Sequence, residues 1–170
     1  MRDRATLTSI GIAAAALGLL LGLPPSRADL PKAADAFGKN GDFEKGLRYW
    51  EGQGKVTKLE DGNSVCALRL EKERDVEIRC PVSVEGAEEV EIRFRVRAMP
   101  GYEGAGLRTA TRTGHGATFR DHKLVADGGW KEMKCGWSRK GRIQPSICFA
   151  FVLYPGKGEV QFDDFVATVK

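Results

Sequence analysis

Histidine is scarce in this sequence, and two common patterns of catalytic or metal-binding residues are missing. The chain has only two histidines, His115 and His122, which leaves little from which to build a nucleophile with a histidine base. No Gly-x-Ser-x-Gly motif occurs, so the nucleophile turn of an α/β-hydrolase is not indicated. No two cysteines have the two-residue spacing of a zinc knuckle. Both a triad hydrolase and a zinc site are therefore disfavoured.

Neighbouring carboxylates give no support to glycan cleavage either. Many glycosidases need only two carboxylates that flank the scissile bond. The adjacent pairs here are Asp163-Asp164 and Glu88-Glu89, and consecutive residues of a strand point to opposite faces. Neither pair can then flank one bond, and we expect that the protein is not an enzyme.

The net charge of the protein is small. The formal net charge is +4, and it falls only slightly when residues 1–28, with their three arginines and one aspartate, are removed. Proteins that bind nucleic acid present strongly basic patches. A near-balanced surface gives no general case for nucleic acid as a partner.

The one long apolar run lies at the start of the chain. It extends from Leu7 to Leu23. Arg2 and Arg4 come before it, and the sequence Ser26-Arg27-Ala28 follows it. This pattern is typical of a secretory signal peptide that is cleaved after Ala28. An uncleaved membrane anchor is the alternative, but a spanning helix needs about 20 strongly apolar residues. We predict a signal peptide over 1–28, a secreted or periplasmic protein, and no membrane span in the mature chain.

The rest of the chain has the length of a single domain. Residues 29–38 are of mixed composition and contain Pro31, so we interpret them as a short leader or linker, or as one helical turn. Residues 39–170 show no heptads, no internal repeat and no low-complexity tract. We predict one domain over 39–170 and a monomeric protein.

Apolar residues in this domain alternate with polar ones, as in β-strands. The clearest strand is 90–98, where apolar residues from Val90 to Ala98 take one face and Glu91 and three arginines take the other. The run 147–153 is apolar on both faces, which indicates a central strand. Such strands bury their apolar faces only against another sheet, so we predict a β-sandwich rather than a barrel. The other predicted strands are 66–70, 76–80, 106–112, 117–124, 130–137, 147–154 and 159–169.

The four cysteines all lie in the part of the chain that is predicted to be exported. Oxidising compartments favour disulfides, and two are therefore expected. If 66–70 and 76–80 form a simple hairpin, Cys66 lies opposite Cys80. Consecutive strands can also enter different sheets, which leaves the pairing open. Our first choice is Cys66 with Cys80 and Cys135 with Cys148.

Motifs at the two ends of the domain resemble those of a known family. The chain reads NGDFEKGLRYW from Asn40 and GEVQFDDF from Gly158. These segments resemble the opening and closing signatures of the carbohydrate-binding modules of families 4, 9 and 22, and they bracket almost the whole domain. The resemblance implies an all-β fold, a two-sheet antiparallel jelly roll of the galactose-binding-like kind. It also implies binding of a polysaccharide or oligosaccharide without cleavage.

The same resemblance implies a structural calcium ion that joins the two ends of the domain. Calcium takes six to eight oxygen ligands, and the carboxylates of Glu44, Asp61 and Asp163 would contribute. Asp163 is preferred to Asp164 because it alternates with Phe162, although the choice between them stays open. The alternative is that these carboxylates are ordinary solvated charges.

Glycan binding in this family uses aromatic rings and planar polar side chains on the concave sheet. Arginine dominates the outward positions, which favours an acidic glycan because guanidinium groups match carboxylate and sulfate. A β-linked polysaccharide, a structural or adhesive envelope module with no sugar site and, less favoured, a glycan-active enzyme are the alternatives. The three tryptophans, Trp50, Trp130 and Trp137, are predicted to be core. Arg112 and Arg120 are further outward positions, and the candidate ligand-binding residues are Glu77, Arg79, Arg93, Arg95, Tyr102, Arg108, Phe119 and His122.

Overall fold

The structure is a computed structural model that describes residues 30–139 and 144–170. It is built mainly from strands, because apolar and polar residues alternate with a period of two along most of the domain. The elements are α1 (Ala33–Asn40), β1 (Glu51–Gly52), β2 (Lys55–Lys58), β3 (Ser64–Arg69), β4 (Val76–Ser83), β5 (Glu89–Ala98), β6 (Glu103–Gly104), β7 (Leu107–Thr113), β8 (Gly116–His122), β9 (Lys131–Ser138), β10 (Ser146–Leu153), β11 (Gly156–Lys157) and β12 (Glu159–Val169).

Ten of these strands form two five-stranded antiparallel sheets. Sheet A has the order β1-β4-β10-β7-β8, and sheet B has the order β2-β3-β12-β5-β9. Strands β6 and β11 form a separate short pair. The predicted two-layer β-sandwich is confirmed, and β10, the strand expected to be central, is the middle strand of sheet A.

The inward faces of the two sheets meet in an aromatic core. Phe94 and Phe162 of sheet B pack with Phe151 of sheet A, and Phe165 lies among them. Trp50 is buried in the same core, as predicted, with its ring centroid 4.6 Å from that of Phe165. One continuous apolar cluster therefore joins the two layers.

Helix α1 also belongs to this core. Its buried residues are Ala33, Ala36, Phe37 and Asn40, a spacing that places them on one helical face. The Phe37 ring makes edge-on contacts with Trp50 at 5.6 Å and with Phe149 at 5.9 Å. The segment that we interpreted as a leader or linker is thus packed into the domain from its helix onward.

All four cysteines are free thiols in this structure, and the predicted disulfides are not formed. The hairpin assumed for Cys66 and Cys80 is wrong, because β3 lies in sheet B and β4 lies in sheet A. Cys135 lies opposite the buried Ile92 on the inward side of β9, whereas Cys148 lies opposite Arg112 on the outward side of β10. Sheet A therefore separates the second predicted pair.

The predicted signal peptide, residues 1–28, lies outside the described residues. Within residues 30–139 and 144–170, no helix is long and apolar enough to cross a membrane. Export and cleavage after Ala28 stay predictions.

Candidate functional site

The strand register divides the predicted ligand-binding residues among several surfaces. Directly opposed residues of neighbouring strands point to the same side of a sheet. Glu77 and Arg79 of β4, Arg108 of β7 and Phe119 of β8 share the outward face of sheet A. This surface, which we call the Phe119 face, therefore brings together the largest group of the predicted residues.

Small apolar residues form the floor of the Phe119 face. Ala110, Ala150 and Val152 form a buried cluster separate from the main core. One row across the sheet runs from Glu51 through Arg79, Ala150 and Ala110 to Phe119. Long charged side chains rise around this floor, and Glu51, Arg112 and Asp121 complete the face.

The arginines of this face are paired with carboxylates of the same face. Arg112 donates to both carboxylate oxygens of Glu77, at 2.7 and 3.2 Å. Arg108 donates to Asp121 in the same two-point manner, at 2.8 and 3.2 Å. The third pair joins Arg79 Nε to Glu51 Oε2 at 2.9 Å. The three positive charges are thus balanced by three negative ones.

Two aromatic rings flank the Arg108–Asp121 pair. The Arg108 guanidinium lies 5.1 Å from the ring centroids of both Phe119 and Tyr154, and Phe119 is 59% exposed. The Tyr154 hydroxyl donates to Asp121 Oδ1 at 2.8 Å. Arg108 and Tyr154 together hold the pKa of the Asp121 carboxyl below its usual range. Sequence reasoning missed Tyr154. It lies two residues after Val152, and this spacing could have shown that the two side chains point to the same side of the sheet.

Three of the other predicted residues do not reach the Phe119 face. Tyr102 is buried, so it is not the exposed ring that we expected. Arg120 and His122 lie opposite Thr109 and Leu107, on the inward side of β8. Strand β8 has polar residues on both sides, so its sequence does not reveal which side faces outward.

His122 is expected to make stability sensitive to acid. Burial, followed by the charge of Arg120, lowers the pKa of the His122 imidazole, while Asp121 acts in the opposite direction. A lowered pKa in the fold means that stability is present above the ordinary histidine pKa and is lost as pH falls below it. We expect His122→Gln to lose less stability than the native protein between about pH 7.5 and 5.5 in urea denaturation. His115→Gln is the exposed control, and an equal loss in both variants would contradict this role.

Arg93 and Arg95 project from the outward face of sheet B instead. On this face the Trp130 ring lies 4.4 Å from the Arg97 guanidinium and 5.1 Å from that of Arg95. Trp130 is partly exposed, so its predicted core position is wrong. Trp137 is also only partly buried, at the end of β9 on the inward side.

Asp163 is buried on this face and is held by Arg95. Arg95 Nη2 lies 3.1 Å from Asp163 Oδ2 and 2.7 Å from Asp164 Oδ2. A β-bulge between Asp163 and Val166 allows both contacts, with Asp164 in the left-handed region at φ 50°. Burial raises the pKa of the Asp163 carboxyl, whereas Arg95 and the Asp164 backbone N–H, which donates at 2.8 Å, lower it.

The residues predicted to bind calcium do not form a shared site as they are placed. Glu44 accepts a hydrogen bond from the Ser64 backbone N–H at 2.8 Å, and Asp61 accepts one from Asn63 at 2.9 Å. In the part of the chain that the structure describes, no three His, Cys, Asp or Glu side chains are grouped so that they could hold a metal ion. This arrangement does not fit the expected ion, and calcium binding stays a prediction.

The four thiols are protonated at neutral pH. Burial raises the pKa of the Cys66 and Cys135 thiols to about 12 and that of Cys148 to about 11. Burial also raises the pKa of Cys80. Because the thiolate is the reactive form, these positions do not supply an activated nucleophile.

The fold is similar to that of several solved carbohydrate-binding modules. A family 61 module in complex with β-1,4-galactotriose has a TM-score of 0.59 and 18% sequence identity, over 78% of this chain and 97% of that chain. A family 16 module has a TM-score of 0.56 and 10% identity, over 76% and 96%. The CBM22-2 xylan-binding domain of Paenibacillus barcinonensis Xyn10C has a TM-score of 0.53 and 14% identity, over 76% and 97%.

These identities are low, and the similarity establishes the fold. A scan of the sequence against protein-family models found no match. A search among curated proteins found none either. The chain therefore has the jelly-roll β-sandwich of carbohydrate-binding modules, resembling those of families 4, 16, 22 and 61.

Proposed function

We propose that this protein is a non-catalytic carbohydrate-binding module that holds a neutral, β-linked polysaccharide on the Phe119 face. Solved modules with this fold include one in complex with β-1,4-galactotriose and one described as xylan-binding. Fold alone does not determine function, so the proposal rests on the side chains of the face. The single observation that carries it is the exposed Phe119 ring beside the Arg108–Asp121 pair.

The balance of charge on this face favours a neutral glycan over an acidic one. Every arginine of the face donates to a carboxylate of the same face. An acidic sugar would have to displace these carboxylates to reach the paired donors. Sugar hydroxyls both donate and accept, so they can bind the free edges of an arginine–carboxylate pair without separating it.

The aromatic rings supply the apolar part of the contact. Phe119 lies on the edge strand β8, and its ring is more than half exposed. A pyranose ring has an apolar face of C–H groups that can cover such a ring and remove it from water. Tyr154 lies on the other side of Arg108. The two rings and the ion pair between them would hold one sugar unit in a fixed orientation.

Retention in polysaccharide-containing gels tests this proposal. We expect slower migration in gels with galactan, xylan or a β-glucan, and a reduction of at least about tenfold in affinity for Phe119→Ala, since a buried aromatic contact contributes more than about 1.4 kcal/mol. Tyr154→Ala should weaken retention less. Val125→Ala removes a side chain that is 55% exposed outside the face, and we expect it to bind as the native protein does.

The same gels separate the competing functions. Retention that appears only with uronic-acid or sulfated glycans and is lost in salt would overturn the neutral ligand and leave glycan binding in place. No retention in any gel, with folding verified, would support the structural or adhesive envelope module. Retention that Phe119→Ala does not change would place the glycan on another surface.

We also propose that the module acts outside the cytoplasm. The features of residues 1–28 support this, since a charged start, an apolar run and small residues before the expected cleavage site are typical of export. Mass spectrometry of the protein recovered from the culture medium or periplasm should give a chain that begins at Asp29. A chain that retains residues 1–28 in the membrane fraction would contradict cleavage.

A further inference from the structure

Strand β8 extends beyond the sheet that should cover it. In a sandwich, one side of every strand normally packs on the opposite sheet, but all residues of β8 are exposed or only partly buried. Sheet B ends at β9, which lies beneath β7, where the Thr111 hydroxyl donates to the Gly136 carbonyl at 3.1 Å. The inward side of β8 therefore borders open space instead of the core.

A cleft of about 640 Å³ occupies this space. Its volume lies within the range of about 300–1,000 Å³ that is usual for small-molecule sites. A narrower extension lies next to it and shares Thr111, Thr118 and Gly136 with it. We call the larger space the edge cleft. Its lining includes Thr111, Thr113, Thr118, Trp137, Ser138 and Gln144.

The chemistry of this lining is that of neutral hydrogen-bonding groups. Hydroxyls come from three threonines and a serine, and Gln144 adds an amide that both donates and accepts. Arg139 is the one fully charged side chain among the described lining residues, and it already binds Glu88, with Nη1 2.8 Å from Oε1. Among the lining residues that the structure describes, no guanidinium or carboxylate is therefore left unpaired to select an ion.

One aromatic wall stands among these polar groups. Trp137 is only partly buried and packs against the edge of the core. Gly136, the residue before it, also lines the cleft, to which it contributes backbone alone. A ligand with a flat apolar face and hydroxyls at its rim matches an indole surrounded by hydroxyl and amide groups.

From this combination we infer that the edge cleft is a second carbohydrate subsite, which takes one neutral pyranose unit against Trp137. It lies on the opposite side of sheet A from the ion-paired surface, so it does not depend on glycan binding at the Phe119 face. A polysaccharide is too long to be enclosed there, whereas a chain end or a single-sugar branch fits. The hydroxyls of Thr118 and Ser138 and the Gln144 amide orient the sugar.

NMR titration of the protein that begins at Asp29, with methyl β-galactoside, β-xyloside and β-glucoside, tests this inference. We expect at least one glycoside to shift the Trp137 indole N–H and the backbone amides of Thr113 and Gly136. Thr118→Val keeps the shape and removes one hydroxyl, and it should weaken this binding about tenfold. Thr168→Val, an exposed change on β12, is the matched control and should have no effect.

The following results would contradict a sugar site in the edge cleft. The inference is wrong if no glycoside shifts these signals, or if Thr118→Val binds the glycoside as tightly as Thr168→Val does. It is also wrong if the same shifts appear when the protein is diluted without sugar. Equal weakening by Tyr154→Ala would mean that there is one site, not two. Gel retention of polysaccharide is scored separately, so failure at the Phe119 face and failure at the edge cleft remain distinguishable.

Discussion

Replacing Phe165 with alanine should lower the free energy of unfolding by about 3–5 kcal/mol, the usual cost of removing a buried aromatic ring. The Phe165 ring is 1% exposed, and its centroid lies 4.6–6.2 Å from the rings of six other aromatic residues. These partners come from α1, the segment after it and both sheets, so one cavity would loosen every layer of the fold. They are Phe37, Phe43, Trp50, Phe94, Phe151 and Phe162.

Urea denaturation measures this loss. The neighbouring residue supplies the control, because Val166 is 55% exposed and Val166→Ala should change stability by no more than about 0.5 kcal/mol. Domains of this kind are stable by about 5–15 kcal/mol, so Phe165→Ala should remove a large fraction of the total. A loss below about 1 kcal/mol would show that Phe165 is not a centre of the core.

Replacing Arg95 with methionine should cost about 1–3 kcal/mol, because it leaves a buried carboxylate without its charged partner. Asp163 is 2% exposed, and Arg95 is the one side chain paired with it in the described structure. Arg93→Met is the matched control on the same strand, since its side chain is 61% exposed and pairs with the partly exposed Glu91. A melting temperature of Arg95→Met equal to that of Arg93→Met would contradict the role of Arg95.

Calcium can be tested in the same thermal assay. An ion held by Glu44, Asp61 and Asp163 in the folded state must raise the melting temperature with its concentration, and a chelator must lower it. That result would support the calcium prediction and would require these side chains to move from the partners described above. A melting temperature that is insensitive to both additions would contradict the prediction and leave Arg95 as the counter-ion of Asp163.

Where one side of a strand is apolar, the sequence reveals which side points toward the core. The alternation over 90–98 predicted β5 (Glu89–Ala98) and its inward residues correctly, and the doubly apolar run 147–153 predicted the centre of sheet A. Helix α1 was a weaker prediction, yet Ala33, Ala36, Phe37 and Asn40 follow the spacing of one helical face. That spacing could have separated it from a linker.

Which sheet a strand joins cannot be read from alternation, because a strand's apolar side fits either layer. The hairpin assumed for Cys66 and Cys80 was wrong for this reason, since β3 and β4 are consecutive but lie in different sheets. The ion pairs of the Phe119 face were equally hidden. Glu77 and Arg112 are 35 residues apart, and only the register through β10 brings them together.

The position of β12 bears on when the chain can fold. It follows every other strand in the sequence, yet it is the middle strand of sheet B and contacts α1 as well. Until residues 159–169 have been synthesised, β3 and β5 lack the strand that lies between them, and Phe165 is missing from the core. The earlier part of the chain should therefore stay unfolded on the ribosome, which is the state that the export predicted from residues 1–28 would require.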